Sequence, residues 1–419
     1  MKADVVVVGS GAGGSIVSNE LVNRGLKVVL VEKGEDLGLE KAYLGFRSTL
    51  SSIDLLRCEA VGGTTLISLG NMLITNTIIE KFKEVGIDLT AEVDEVRKLM
   101  HVKDIPVDKL PQFAVKFIEV SRSMGLDAKV MQKSIDFNKC IGCGGCAYGC
   151  ARDAKRTALD LIRRSLRQGL VLLSSFEVNR VHRSQGQGEE IVVEGVVRGE
   201  KLKVICKALI LAAGALETPR LLIQLHDNDN IGKHLFVDPF LIVGGPYSGP
   251  PANEGIQMAA YIDYQDYMLS PNFSGALQFQ LLSKKVDYRG KSLASIMVKV
   301  GDEGSGRVWP DGIVEIHMTR RDLKVLERGV KEAKNILSEL GVKDEDVVVT
   351  PIRGAHPGGT AALGYVVSRD LSISGCDGVF VADASLIPPL LGKPPMLLIM
   401  ALAMKVSKKV CEYLGKYAS

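Results

Sequence analysis

The chain is 419 residues long, 46% hydrophobic and 24% charged, with 52 Lys and Arg set against 49 Asp and Glu for a formal net charge of +3. A chain of this length buries a large core and suits two lobes, while so even a charge balance excludes the basic footprint of a nucleic-acid binder or a membrane-surface protein. The longest apolar run, Met396–Met404, falls well short of the roughly 20 residues that cross a bilayer; a first strand entered by Asp4 leaves no room for a signal segment, so a cytoplasmic protein is expected.

Residues 3–32 read as strand, glycine turn, helix, second strand. Val5–Val8 lacks polar alternation, as in a parallel strand covered on both faces. It breaks at Gly9-Ser10-Gly11-Ala12-Gly13-Gly14, where Gly9 suits a tight turn, Gly11 close approach of a pyrophosphate, and Gly14 close packing of the following helix. That helix aims its N-terminus at the phosphates. Glu32, ending the apolar strand Val28–Val31, is placed to accept hydrogen bonds from a ribose hydroxyl. The pattern points to dinucleotide binding without saying which dinucleotide.

Gly62-Gly63-Thr64-Thr65 is either a plain turn or a set of amides converging on an anion, with the threonines as extra donors. Residues 79–131 turn helical and charged; Phe113, Phe117, Val120 and Met124 recur at helical spacing as core contacts, and Pro111 suits a first turn.

Four of the eight cysteines crowd into one short run, which favours metal ligation over a disulfide framework. Cys140, Cys143, Cys146 and Cys150 have the C-x2-C-x2-C-x3-C spacing of a ferredoxin-type loop, in which short intervals let thiolates wrap the corners of a cubane, and the intervening glycines permit the curvature. Lys139, Arg152, Lys155 and Arg156 flank the run and favour an anionic centre. One [4Fe–4S] cluster is expected, its fourth ligand local or remote. Zinc suits a four-thiolate set but not such close spacing, and a cysteine loop without metal is the remaining reading.

Next come a helix at Arg156–Gln168, with Leu159, Ile162 and Leu166 along one side, and strands at Val171–Leu173, Ile191–Val197 and Leu202–Ile205. Ala208–Leu211 is another buried strand; it runs into Ala212, Ala213 and Gly214, small residues that permit either ligand approach at the carboxyl end of the sheet or tight strand–helix packing. Between Gly244 and Val349, apolar segments near Met258–Tyr261, Ala276–Leu282, Leu293–Val300 and Ile313–Met318 suggest a mostly antiparallel sheet, with His317 an ordinary strand residue. A helix at Asp322–Leu340 follows, with Thr319 and Asp322 in capping-box register and Leu323, Leu326, Val330 and Leu337 on one face. The segment 354–360 holds a single imidazole, His356, among small residues. The stretch 378–385 reads as a buried strand ending in an acid, Asp383. The last helix starts at Pro394-Pro395 and runs through Met396–Tyr413, its positive end suited to negative charge on a reduced ring system.

Five stretches taken in order, GSGAGG, VGGTTLISLGN, ALILAAGALETPRLLI, HPGGTAALG and VFVADASLIPPLLGKPPMLLIMALA, resemble the glucose–methanol–choline (GMC) family of FAD-dependent oxidoreductases. The resemblance implies an α/β fold with an α+β second lobe: a Rossmann-like FAD-binding domain with a substrate domain built on a mostly antiparallel sheet. The FAD domain is expected at 1–78, 157–243 and 352–419, a helical segment of the substrate lobe at 79–135, the cysteine loop at 136–156 and the substrate domain at 244–351.

The same resemblance implies that Gly9, Gly11, Gly14 and Glu32 hold the ADP half, that Gly63, Thr64 and Asn71 lie along the flavin, and that Asp383 and Ser385 touch the ribityl or pyrophosphate side. Ala12, Val178, Ala213 and Pro395 complete the cofactor-binding candidates. His356 matches the family's active-site histidine. Pro394, whose side chain has no donor or acceptor, stands where the family has a second histidine or asparagine, and Lys393 before it is the candidate to supply charge to substrate or reduced flavin. The iron–sulfur reading rests on spacing rather than on the family.

The expected chemistry is a dehydrogenase: His356 accepts a hydroxyl proton while hydride passes to the flavin, and electrons leave singly through the cluster to ferredoxin, a similar carrier or another redox subunit rather than to oxygen. Run backwards, this wiring is a ferredoxin-fed reductase of an unsaturated or carbonyl substrate. A non-catalytic electron-transfer flavoprotein is the third reading.

Overall fold

A computed structural model describes residues 1–49, 51–184, 190–389 and 392–415; Leu390 and Leu391 of the last motif lie outside the described residues. Its organising element is a five-stranded parallel sheet in the order Val379–Val381, Ala208–Leu211, Val5–Val8, Val28–Val31, Val171–Leu173. Every residue of Val5–Val8 and Val28–Val31 is buried, as continuous β-branched runs require when both faces are covered. Each such side chain contributes about 1.5–3 kcal/mol of hydrophobic stabilisation. The helices Ala12–Asn23 and Met396–Gly415 supply buried residues to the same core. An antiparallel meander, Phe176–Arg183, Ile191–Val197 and Glu200–Cys206, follows the last parallel strand.

The second sheet has eight strands. Pro239–Tyr247 and Ser292–Val300 pair antiparallel at its centre, continuing through Tyr267–Pro271 and Ala260–Asp263 to Ala128–Val130. On the other side Pro239–Tyr247 carries Val348–Val349 and Arg353–Gly354. The helix Arg320–Glu339 lays Val325, Leu326, Ala333, Ile336 and Leu337 into this sheet's hydrophobic core. Gly329 allows the approach, since a Cβ there would stand 2.4 Å from Val298 Cγ1.

Several local expectations change. Ala276–Leu282 is not a strand but lies within the helix Gly275–Ser283, N-capped by Ser274: Leu277 and Leu281 are buried one turn apart while Phe279 and Leu282 face solvent, a helical period hidden in a short apolar run. Met258–Tyr261 moves to Ala260–Asp263, and of Ile313–Met318 only Val314–Glu315 is a strand, paired with Arg307–Val308 outside the main sheet. His317 lies beyond that strand and is exposed. Leu323 is 43% and Leu166 41% exposed, so neither belongs to its helix's buried face. The capping box of Thr319 and Asp322 forms as expected, and all eight cysteines are free thiols.

Candidate functional site

At the carboxyl end of the parallel sheet the glycine loop is shaped by contacts that admit no side chain. Gly9 has φ +98°, and a Cβ on it would stand 2.3 Å from Ala212 O; on Gly14 it would meet Gly9 O at 1.9 Å. Gly13, which the motif reading passed over, is tighter still: its Cβ would lie 1.5 Å from Ala382 O. Gly11 differs, with nothing within 4 Å of a Cβ, and Gly214 across the sheet end is equally open. The loop thus packs on its neighbours through three glycines and leaves Gly11 facing free space beside the helix N-terminus.

Glu32 is buried and tied to this loop. Its Oε2 accepts from Ser10 N at 3.0 Å and Ser10 Oγ at 2.6 Å, and its Oε1 from Gly34 N at 2.8 Å. Burial raises its carboxyl above the usual range, while the Ser10 hydroxyl and the Gly34 and Ser10 amides oppose the shift. Ser10 Oγ in turn accepts from Gly62 N at 2.9 Å. Of the two readings of the Gly62-Gly63 stretch, the amides of both glycines are taken up within the protein, Gly63 N donating to Ala60 O, as in a turn, and a Cβ on Gly63 would stand 3.0 Å from Gly11 Cα. Thr65 Oγ1 donates to Gly62 O and accepts from Ala158 N, and Thr64 Oγ1 accepts from Cys58 N.

Asp383 closes the opposite side. Its Oδ2 accepts from Gly214 N at 2.8 Å and Thr218 Oγ1 at 2.5 Å, and its Oδ1 from Ser385 N, so this carboxylate clamps the segment after Ala213, whose own N donates to Thr218 Oγ1. Ser385 Oγ is buried without a hydrogen-bond partner. Asn71 is oriented by Lys133, whose Nζ donates to Asn71 Oδ1, Leu69 O and Gln257 O. Val178 sits beside a bulge in the meander, and Pro395 O accepts from Ile399 N in the first turn of the last helix.

His356 is placed by the second sheet. Phe240 lies opposite both Lys299 and Arg353, so the end of one strand, the turn before another and the loop after a third meet. His356 N and Ala355 N both donate to Val237 O. Gly358 and Gly359 allow this crossing, since Cβ atoms there would stand 2.2 Å from Phe236 Cζ and 2.2 Å from His234 O. His356 Nδ1 lies 3.1 Å from Asp238 Oδ2 and 2.5 Å from Lys299 Nζ, which donates to the same Asp238 oxygen at 2.8 Å. Asp238 Oδ1 accepts from Gly392 N. The side chains of Asp238 and Lys299 are 0% and 2% exposed, that of His356 26%.

Electrostatics follow from this enclosure. Burial pulls His356 down to about 4, with the Lys299 ammonium adding to the effect and Asp238 opposing it. Burial alone raises Asp238, but Lys299 and His356 hold its carboxyl below the usual range. Asp302 accepts from the amides of Val237 and Asp238, and burial next to Asp238 pushes it up to about 7. Sequence reasoning missed Asp238, Lys299 and Asp302; the legible signal was a lysine inside the apolar strand SLASIMVKV, since a charge in the core is costly unless paired.

Lys393, the candidate to supply charge to substrate or flavin, is held by the second sheet. Its Nζ donates to Tyr264 O at 2.7 Å and Tyr267 O at 3.2 Å and pairs with Asp263. Its ammonium fastens the turn before the last helix to the second sheet.

The four cysteines Cys140, Cys143, Cys146 and Cys150 line one cavity of about 30 Å³ together with Lys155 and Ile256. Gly142, Gly144 and Gly149, with φ of +66°, +73° and +119°, supply its curvature. Lys155 is buried beneath it, its Nζ donating to Cys146 O, Leu66 O and Ser68 O; burial pulls it down to about 8. Among the described residues no group of three or more His, Cys, Asp or Glu side chains converges closely enough to hold a metal ion. The run shares a cavity without the sulfurs closing into a ligand set.

Comparison with known proteins places this geometry. Two family models, both described as GMC oxidoreductase, match residues 4–240 and 307–403. An uncharacterized protein of Methanocaldococcus jannaschii is 32% identical over 97% of this chain and 99% of its own length. A long-chain-alcohol oxidase of Arabidopsis thaliana is 25% identical over 98% of this chain and 68% of its own. Among solved structures, pyridoxine 4-oxidase from Mesorbium loti superposes with a TM-score of 0.75 at 19% identity over 98% and 99% of the two chains. A formate oxidase variant from Aspergillus oryzae, studied for FAD modification, reaches 0.74 at 14% over 98% of both. The architecture they share is a Rossmann-like FAD domain joined to a sheet-rich substrate domain. No helix of the described residues is long and apolar enough to cross a membrane.

Proposed function

Since the chain belongs to the GMC oxidoreductase family, we propose that it is an FAD-dependent enzyme that oxidises a hydroxyl-bearing small molecule at His356. The observation that carries this reading is the His356 ring itself: Nδ1 enclosed by Asp238 and Lys299, with about a quarter of the side chain left exposed (26%), which is the arrangement of an oriented proton-transfer group.

The groove fits FAD. Open space at Gly11 and Gly214 admits a pyrophosphate. The residues proposed to hold it are Gly9, Gly11, Ala12, Gly14, Glu32, Gly63, Thr64, Asn71, Val178, Ala213, Asp383, Ser385 and Pro395. When bound, FAD supplies the hydride acceptor. His356 Nε2 faces the substrate hydroxyl proton, Asp238 and Lys299 hold the ring through Nδ1, and burial keeps that ring neutral over the ordinary pH range. With Pro394 in place of a second polar side chain and Lys393 turned away, His356 grips the hydroxyl alone.

We further propose that Cys140, Cys143, Cys146 and Cys150 hold a [4Fe–4S] cluster. The spacing and the free thiols lining one cavity over the buried Lys155 are the donor chemistry such a centre uses, although the sulfurs do not converge into a ligand set in this structure. It would supply one-electron exchange with ferredoxin, a similar carrier or another redox subunit, making the enzyme a dehydrogenase where the long-chain-alcohol, pyridoxine and formate enzymes named above are oxidases. The test is flavin, iron and acid-labile sulfide content after anaerobic purification. FAD with equal amounts of iron and sulfide is expected; zinc without iron removes the one-electron exit, and protein that takes up no flavin removes the whole reading.

A further inference from the structure

We propose that Lys299 is a positioning residue for the catalytic proton: by gaining or losing its own proton it sets which nitrogen of His356 is protonated, and so whether the ring takes a proton from substrate or gives one. This rests on the reading of His356 as the group that meets the substrate hydroxyl, but its test needs no substrate.

The argument is one of donors and acceptors. Lys299 Nζ stands 2.5 Å from His356 Nδ1, a contact that requires one atom to donate and the other to accept. An ammonium has donors only. With Lys299 protonated, Nδ1 is therefore the acceptor, the neutral ring carries its hydrogen on Nε2, and the accessible side of His356 is a hydrogen-bond donor. With Lys299 neutral, its lone pair or Asp238 Oδ2 receives Nδ1–H, and Nε2 becomes the free base that hydroxyl oxidation requires.

The transfer balances without redox change. The substrate O–H bond breaks as Nε2–H forms, Nδ1–H breaks as the third Nζ–H forms, and an alkoxide and an ammonium result. In reverse, Nε2–H protonates an oxyanion while Nδ1 recovers its proton from Lys299. The hydroxyl proton thus ends on Nε2, and the ring's former Nδ1 proton on an amine enclosed in the second sheet.

The groups facing Lys299 allow this. Asp238 from the turn before Pro239 and Asp302 from the loop after its own strand favour the ammonium, while burial and Lys393 from the turn before the last helix disfavour it. His356 completes the set. Burial wins, and the amine is pulled down to about 8, within reach of working pH.

The experiment is 15N NMR of the histidine-labelled full-length protein as purified, with its flavin, the His356 signals assigned by His356→Gln. Wild type is expected to show Nε2–H at about pH 6.5 and Nδ1–H at about pH 9.5. Lys299→Arg, which keeps its charge throughout, is expected to hold Nε2–H at both. Lys299→Met is expected to hold Nδ1–H on Asp238 at both. A wild-type ring that keeps one tautomer across this range overturns the proposal, as does a switch of unchanged midpoint in Lys299→Arg, so the outcome stands even if Lys299→Met does not fold. Failure of every alcohol to react, with the tautomer switch intact, strikes the functional reading alone.

Discussion

Ser10 stands between Glu32 and the second glycine turn: its hydroxyl donates to Glu32 Oε2 at 2.6 Å and accepts from Gly62 N at 2.9 Å. One hydroxyl thus ties the end of the second strand, the first loop and residues 62–63 into a single wall of the groove. Ser10→Ala leaves a buried amide and a buried carboxylate short of partners, and is expected to cost about 1–3 kcal/mol of stability with a matching loss of bound FAD. Thermal denaturation alongside flavin absorbance checks this; unchanged values in both would show that the wall stands without it.

Gly11 and Gly13 separate ligand approach from packing. Gly11→Ala adds a methyl to open space at φ −68°, so the fold is expected to keep its melting temperature while flavin content falls. Gly13→Ala forces a methyl against the Ala382 carbonyl and is expected to lose about 3 kcal/mol or more. Equal effects from the two substitutions, read by melting curves and flavin absorbance, would contradict the division.

His356 predicts the acid limb of stability. Its folded value is lowered to about 4 while the unfolded ring titrates near 6.5, so between these limits the unfolded chain binds a proton that the native chain does not. Stability therefore falls as pH drops from about 6.5 to 4, by up to about 3 kcal/mol. Denaturant unfolding across this window is expected to show a shallower pH slope in His356→Gln.

Lys393 is assigned to anchoring. Lys393→Met leaves Asp263 and the carbonyls of Tyr264 and Tyr267 without their cation, and is expected to destabilise by about 1–3 kcal/mol with the flavin spectrum and the rate of flavin reduction little changed. A slowed reduction at unchanged stability would return Lys393 to the reaction.

What the sequence displays depends on range. The nucleotide loop and the capping box at Thr319 are legible because strand, turn and cap chemistry sit within a few residues of one another. Gly13 escaped because its reason is Ala382, which only the parallel sheet brings near. Asp238, Lys299 and His356 are separated by 61 and 57 residues in the chain; the pairing of Phe240 with Lys299 and Arg353 joins them. Lys393 misled because proximity along the chain to the second polar position says nothing about where a long side chain turns. The cysteine spacing was plain, yet the cavity it lines says only that four thiols are neighbours.

The central claim, that this chain oxidises hydroxyl compounds through FAD at His356, is tested most directly by anaerobic stopped-flow reduction of the bound flavin with a panel of alcohols. Wild type is expected to bleach with at least one alcohol, and His356→Ala to do so about 100-fold or more slowly, the usual weight of a positioned base. No bleaching by any hydroxyl compound, together with rapid reoxidation of chemically reduced flavin by an unsaturated or carbonyl acceptor, would contradict it.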